Sequence, residues 1–272
     1  VKSKLYKFLF PVITLGFAFG TYWVAYPNDL FLPIAPFKNP SKYIIEKQFS
    51  SFKILSKDHV NSDLSSLLKN PNMFLEDSGS WIKNNKKRTV AIAEVGTSKF
   101  FIKRYNIQNF WDYVSKCPFR SSKAFRSFYY STLFEAKQIS TPQPIALFEK
   151  RFGFLWTTTY IIYEWMDGIT LDEALRTSLL EEHEKIDIFL QLRSHFKKMY
   201  HNKWVHRDLT LQNLFIMEGK LYLLDLDDLH SYAFNNIFFR KKFKKKHQLF
   251  LNSNLSHYNM QIEDPFFVTL IN

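Results

Sequence analysis

The apolar and polar positions of this chain fall into three regimes. The first is a charge-free run from Phe8 to Asn28, preceded by Lys2, Lys4 and Lys7 and ending in Tyr22, Trp23 and Tyr26. About 20 apolar residues cross a bilayer as a helix, and aromatic residues favour its interface. Residues 1–28 therefore read as a hydrophobic membrane-anchor candidate centred on residues 8–26, with a buried hydrophobic helix as the alternative. The second regime, residues 29–70, is punctuated by Pro33, Pro36 and Pro40 and reads as a linker and lead-in, with a turn or two of helix at Asp63–Lys69. In the third regime, residues 88–95 and 99–105 alternate as strands around Gly96-Thr97-Ser98, and a further strand over 73–83, interrupted at Asp77-Ser78-Gly79-Ser80, precedes them. A basic aromatic helix follows over 118–139, then strands at 145–149 and 156–164. Thr170 caps a short helix from Leu171, and Ile186, Phe189, Leu190, Phe196 and Met199 mark a long one over 181–202. Strands first and helices afterwards predict an α+β fold. Its small N-terminal β lobe spans residues 71–165 and its mainly helical C-terminal lobe residues 166–272.

The candidate chemistry sits where the long helix ends. Val205-His206-Arg207-Asp208-Leu209-Thr210-Leu211-Gln212-Asn213 is followed by a strand, a turn at Glu218-Gly219-Lys220, and a second strand that delivers Asp225. The Asp-x-x-x-x-Asn spacing puts Asp208 and Asn213 on one tight loop. A carboxylate there can accept the proton of a substrate hydroxyl, while Asn213 and Asp225 can hold a cation against phosphate. The pattern is that of the protein-kinase-like catalytic loop, which makes the expected fold bilobal and kinase-like. Lys103 alternates out of phase with Ile102 and so faces away from it, where it can reach the α- and β-phosphates of ATP. No Gly-x-Gly-x-x-Gly occurs. The turn Lys83-Asn84-Asn85-Lys86-Lys87-Arg88 is basic instead, and Lys83 is a candidate phosphate contact. Glu135 is the acid available on the 118–139 helix to pair with Lys103. Glu164-Trp165-Met166-Asp167-Gly168 reads as a hinge, with Glu164 and Met166 presenting backbone groups to adenine and Gly168 freeing the chain.

Composition narrows the partners. The net charge of +12 favours an anionic partner: nucleic acid, acidic lipid or a phosphorylated substrate. No zinc-finger spacing or aromatic RNA-binding motif supports nucleic acid. The cluster Arg240-Lys241-Lys242-Phe243-Lys244-Lys245-Lys246-His247 suits an anionic membrane surface. A single cysteine, Cys117, excludes an intramolecular disulfide and a cysteine zinc site.

Trp81 to Thr89, Phe101 to Asn106, the segment Ile139-Ser140-Thr141-Pro142-Gln143-Pro144-Ile145-Ala146-Leu147, Val205 to Asn213 and Leu223 to Asp228 together resemble the lipopolysaccharide core kinases, the Kdo and heptose kinases of Gram-negative bacteria. The resemblance covers about residues 72–255 and leaves residues 1–50 uncovered. It implies transfer of the γ-phosphate of ATP, with Mg²⁺, to a sugar hydroxyl of a lipid-linked core oligosaccharide at the cytoplasmic side of the inner membrane. On that resemblance Asp208 is the base, Asn213 and Asp225 are metal ligands and Lys103 is the phosphate anchor. A phosphotransferase with a protein or small-molecule acceptor and a membrane-associated pseudokinase scaffold are the alternatives. Thr210, the short segment after Asp228 and the retained Lys103, Asp208, Asn213 and Asp225 weigh against them.

Overall fold

The computed structural model describes residues 41–77, 81–85, 87–107, 121–152 and 155–250. The expected hydrophobic segment at 8–26 lies outside them. Among the described residues, no helix is long and apolar enough to cross a membrane.

The N-terminal half is built on a seven-stranded antiparallel sheet in the order β1-β2-β6-β7-β5-β4-β3. Its strands are β1 (Tyr43–Lys47), β2 (Ser51–Ser56), β3 (Trp81–Asn84), β4 (Arg88–Val95), β5 (Ser98–Tyr105), β6 (Pro144–Phe152) and β7 (Leu155–Glu164). Residues 43–56, expected as lead-in, form a hairpin that extends this sheet beyond β6, with Ile54 opposite Leu147. Phe52 and Ile54 alternate inward there, a short pattern that the neighbouring lysines disguise in the sequence.

Helices cover both faces. On one face lie α1 (Ser62–Lys69) and α2 (Pro71–Asp77). α1 starts where the Asn61 side chain accepts the Leu64 N–H at 2.7 Å. Its Leu64, Leu67 and Leu68 pack with Leu75 against Ala91, Ala93, Ile102 and Ile162. Burying each of these leucines stabilises the fold by roughly 2 kcal/mol. The first part of the interrupted strand expected over residues 73–83 is helical instead: Met73 to Asp77 close α2, and β3 begins at Trp81. Pro71 at the first helical position favours the helix over the extended form.

On the other face lies α3 (Lys123–Ala136), capped by Ser122, whose hydroxyl accepts the Phe125 N–H at 2.9 Å. The same hydroxyl donates to the buried Glu149 carboxylate of β6, so the cap also ties helix to sheet. Phe128, Tyr130 and Phe134 of α3 join the larger core, which continues into the helical half.

That half contains β8 (Ile169–Thr170), α4 (Leu171–Arg176), α5 (Glu182–His201), β9 (Trp204–His206), β10 (Leu214–Met217), β11 (Lys220–Leu223), β12 (Leu229–Ser231) and α6 (Ile237–Phe250). Thr170 caps α4 through the Glu173 N–H, and Glu181 with Glu184 forms a capping box on α5. The hairpin β10–β11 carries β8 on its outer edge, and β12 pairs with β9. The last pairing folds the segment after Asp225 back beside the loop at residues 207–213.

Candidate active site

The sheet hairpin sets the first side chains. β4 and β5 are joined by a two-residue turn and pair with Val95 opposite Ser98, so Val90 lies opposite Lys103 and Arg88 opposite Tyr105. Directly opposed residues share a face. Ile102 points into the core of α1 and α2; Lys103, Arg88 and Tyr105 point the other way, toward the helical half.

There they meet Asp225. Lys103 Nζ lies 2.6 Å from Asp225 Oδ1, and Arg88 Nη1 lies 3.1 Å from Oδ2. Asp225 sits in the left-handed region, φ 61° and ψ 49°, between β11 and the 3₁₀ turn Leu226–Asp228. A short polar side chain tolerates that conformation better than most, and it turns the carboxylate out of the strand toward the cleft. Burial alone would raise the carboxyl; the Lys103 ammonium and then the Arg88 guanidinium outweigh it and hold Asp225 well below the usual carboxylate range.

The loop at residues 206–213 is bound to this strand through the His206 ring and the Asn213 carbonyl. His206 Nε2 donates to the Leu224 carbonyl at 3.0 Å, and the Leu224 N–H donates to the Asn213 carbonyl at 2.8 Å. Asn213 Nδ2 donates to the Asp208 carbonyl at 2.6 Å. With the amide nitrogen engaged, the remaining polar atom of Asn213 is an acceptor oxygen. Asp208 itself is exposed on the loop. From the far side, Thr141 Oγ1 donates to the Leu223 carbonyl at 2.7 Å, and the Leu223 N–H donates to the Ser140 carbonyl at 2.9 Å. The Thr-Pro-x-Pro segment therefore clamps the strand that carries Asp225.

Between the two halves lies a cavity of about 340 Å³, largely apolar, with Lys103 and Asp225 in its lining. Glu164, Trp165, Met166 and Gly168 border it where β7 leaves the sheet. The last ladder pair on β7 is Glu164 with Phe100, so Met166 lies beyond the sheet ladder. The Glu164 side chain points away, 63% exposed and 3.7 Å from His59 Nε2, so its contact with a ligand would be through backbone. Gly168 is required by space, not by φ as the sequence suggested: a Cβ there would lie 2.3 Å from the Ile216 carbonyl oxygen. Tyr163 also lines the cavity, its hydroxyl 3.0 Å from Ser127 Oγ of α3; burial raises its phenol above the ordinary range.

Glu135 is not brought to Lys103. Its carboxylate pairs with Lys42 Nζ at 2.6 Å, on the solvent side at the end of α3. The face of α3 that lines the cavity carries Ser127 and Ser131 instead, and Asp225 takes the place of a helix acid on Lys103. Lys83 lies in β3 opposite Val90; its side chain lies outside the described ones.

Further groups fix the turn after Asp225. Lys123 at the start of α3 pairs with Asp227 at 3.0 Å and Asp228 at 3.5 Å. Burial would raise Asp228, but Lys123, Arg126 and Arg207 outweigh it and hold it below its ordinary value. Arg207 donates to His230 Nε2 at 2.9 Å, joining the catalytic loop to β12. Arg88 is the site residue that sequence reasoning passed over. The signal was present: the two-residue turn fixes the register, and the register puts Arg88 on the face of Lys103.

The carboxylate of Asp225 and the amide oxygen of Asn213 are hard donors suited to Mg²⁺, and Lys103 and Arg88 are cations suited to phosphate. Among the described residues, no three His, Cys, Asp or Glu side chains gather into one metal site.

A solved structure, WaaP in complex with acyl carrier protein, shares the fold with a TM-score of 0.54 at 12% identity, covering 78% of this chain and 87% of that one. A protein of Acanthamoeba polyphaga mimivirus named as a serine/threonine-protein kinase, L232, is 25% identical over 133 residues, 48% of this chain. The match spans only 19% of that viral protein's length. Residues 72–262 match the lipopolysaccharide kinase (Kdo/WaaP) family, and they include every residue that lines the cavity. By that match over most of its length, the chain belongs to the lipopolysaccharide kinase (Kdo/WaaP) family.

Proposed function

We propose that the protein is an ATP-dependent kinase that phosphorylates a Kdo or heptose hydroxyl of the lipopolysaccharide inner core. The observation that supports this reading is the Lys103–Asp225 pair lining an apolar cavity, with the loop of Asp208 and Asn213 bonded to the adjacent Leu224, in a chain of this family. The adenine ring would occupy the cavity, its edge bonded by backbone at Glu164 and Met166, and the phosphates would run toward Lys103. Asp225 and Asn213 would hold Mg²⁺, which supplies charge neutralisation on the phosphates. With two protein ligands, the rest of its shell would come from phosphate and water.

Asp208 takes the proton of the acceptor hydroxyl. The hydroxyl oxygen then bonds to the γ-phosphorus as the β–γ bridging bond breaks, and ADP leaves. Catalysis would rest on positioning and charge, because the sugar hydroxyl needs no covalent intermediate.

The acceptor is lipid-linked, and α6 is suited to an anionic membrane surface at the cytoplasmic face, where ATP is present. Phe239, Phe243, His247 and Phe250 anchor the helix inward. Lys241, Lys245, Phe238 and Leu249 face outward, and basic residues interleaved with exposed apolar ones favour acidic headgroups. The hydrophobic segment at residues 8–26 would add a second attachment. The solved relative's complex raises acyl carrier protein as a further partner, and its co-purification with this chain would be the matching observation.

The test is mass spectrometry of lipopolysaccharide from a strain lacking the gene. Loss of one phosphate from the inner core, restored by the wild-type gene and not by Asp208→Asn, is expected. An unchanged core phosphate pattern would turn the search to protein or small-molecule acceptors.

A further inference from the structure

The sequence carries no Gly-x-Gly-x-x-Gly loop, and the structure offers a substitute for the phosphate contact it would make. Arg88 is the first residue of β4, immediately after the turn that would cover the phosphates. Its side chain does not reach into solvent. It crosses the cleft to Asp225, and its side chain is 26% exposed against 12% for Lys103. Two cations therefore hold one carboxylate, one on each oxygen. Asp225 is also a candidate metal ligand, and a metal ion and two cations compete for the same two oxygens.

We propose that Arg88 is a phosphate-binding residue that exchanges Asp225 for the nucleotide. Without nucleotide, Arg88 and Lys103 together occupy the Asp225 carboxylate and discourage a divalent cation from binding alone. When a nucleoside triphosphate enters with its cation, the cation takes Asp225, and both side chains move to the phosphates. The exchange keeps the charges paired: each cation leaves one oxygen anion for another. Arg88 thus supplies from a side chain the phosphate contact that a glycine loop makes with backbone amides. Its position on β4, one strand from Lys103 and on the same face, places the two cations on adjoining parts of the triphosphate. The inference rests on the kinase reading above and extends it to a residue that reading does not need.

The test uses the full chain and two binding measurements that require no turnover. The first is the affinity for Mg²⁺–ATP and, separately, for adenosine, in wild type, Arg88→Gln and Arg88→Lys. Loss of a charge-assisted contact should weaken Mg²⁺–ATP binding by roughly tenfold or more in Arg88→Gln, with partial recovery in Arg88→Lys. Adenosine, which lacks phosphates, should bind all three alike. The second is binding of Mn²⁺ without nucleotide, followed by electron paramagnetic resonance. Arg88→Gln should bind it several-fold tighter than wild type, because one competitor for Asp225 has gone.

Equal Mg²⁺–ATP affinity in wild type and Arg88→Gln would overturn the proposal while leaving the kinase reading in place. So would an equal loss of adenosine and ATP binding, which marks a structural role, or Mn²⁺ binding no tighter in the variant. A wild-type chain with no affinity for ATP would overturn both readings together.

Discussion

His247 ties the basic helix α6 to the core, and acid should loosen it. Its ring stacks on Phe243 with centroids 3.7 Å apart and meets Phe196 edge-on at 4.5 Å. Nδ1 donates to the Phe243 carbonyl at 2.8 Å, while Nε2 is buried with no hydrogen-bond partner. An imidazolium there would bring a charge and a second N–H into an apolar site. Burial accordingly lowers its pKa to about 4 from the ordinary 6.5.

The sign follows from which state holds the proton. Between pH 6.5 and 4 the unfolded chain is protonated at this histidine and the folded chain is not, so stability falls as pH falls. The contribution is fully present above about pH 6.5 and is lost progressively down to about pH 4. At pH 4.5 the loss amounts to about 2.5 kcal/mol, taking about 1.4 kcal/mol per pH unit between the two values. In a chain of this size that corresponds to a fall of roughly 5–10 °C in Tm.

The assay is thermal or urea unfolding of wild type and His247→Phe at pH 7.5 and pH 4.5. Other groups whose folded pKa is lowered, Asp225, Asp228 and His195, also weaken the fold in acid. They are common to both proteins and cancel in the difference. The variant should lose about 2.5 kcal/mol less than wild type over that interval. Equal losses in the two proteins would refute the assignment of a buried neutral imidazole to His247.

Gly168→Ala should destabilise the hinge by about 1–3 kcal/mol and lower nucleotide affinity, read by unfolding and by titration with ATP. The added methyl would meet the Ile216 carbonyl and the Phe215 ring, and backbone on a paired strand cannot step aside cheaply. Thr141→Val removes the hydroxyl that clamps Leu223 and should cost about 1–2 kcal/mol in urea unfolding, since the buried carbonyl loses a donor without losing volume around it. Lys241→Glu with Lys245→Glu should weaken sedimentation with vesicles of acidic phospholipid by roughly tenfold or more, at about 1 kcal/mol for each basic residue near the surface, and leave unfolding midpoints close to wild type.

Much of this molecule was legible from residue order. The spacing from Val205 to Asn213 predicts one tight loop beside the strand bearing Asp225, and Asn213 bonds both Asp208 and Leu224 there. Lys103 was placed by a period of two, and the register of the same hairpin locates Arg88. The helix cap at Thr170 sits where a hydrogen-bonding side chain precedes an apolar periodicity, whereas the cap at Ser122 and the capping box at Glu181 emerge only in the structure. What escaped is what depends on distant partners. The pairing of β2 with β6 joins segments far apart in the chain, and two strands of five and six residues carry little periodicity. Residues 73–77 looked extended until Pro71 and the buried Leu75 made them helical. Glu135 was assigned to Lys103 as the sole acid on its helix, but it lies in the last turn, where it meets Lys42. The reason for Gly168 was also tertiary: the crowding comes from Phe215 and Ile216 on another strand.

The most direct test of the central claim is phosphate transfer by the purified full chain. With Mg²⁺, γ-labelled ATP and delipidated inner-core oligosaccharide, wild type should place label on one Kdo or heptose hydroxyl. Asp208→Asn should bind ATP with unchanged affinity and transfer about 10²–10⁴-fold more slowly. Full transfer by Asp208→Asn, or label that reaches protein acceptors and no sugar, would contradict the account.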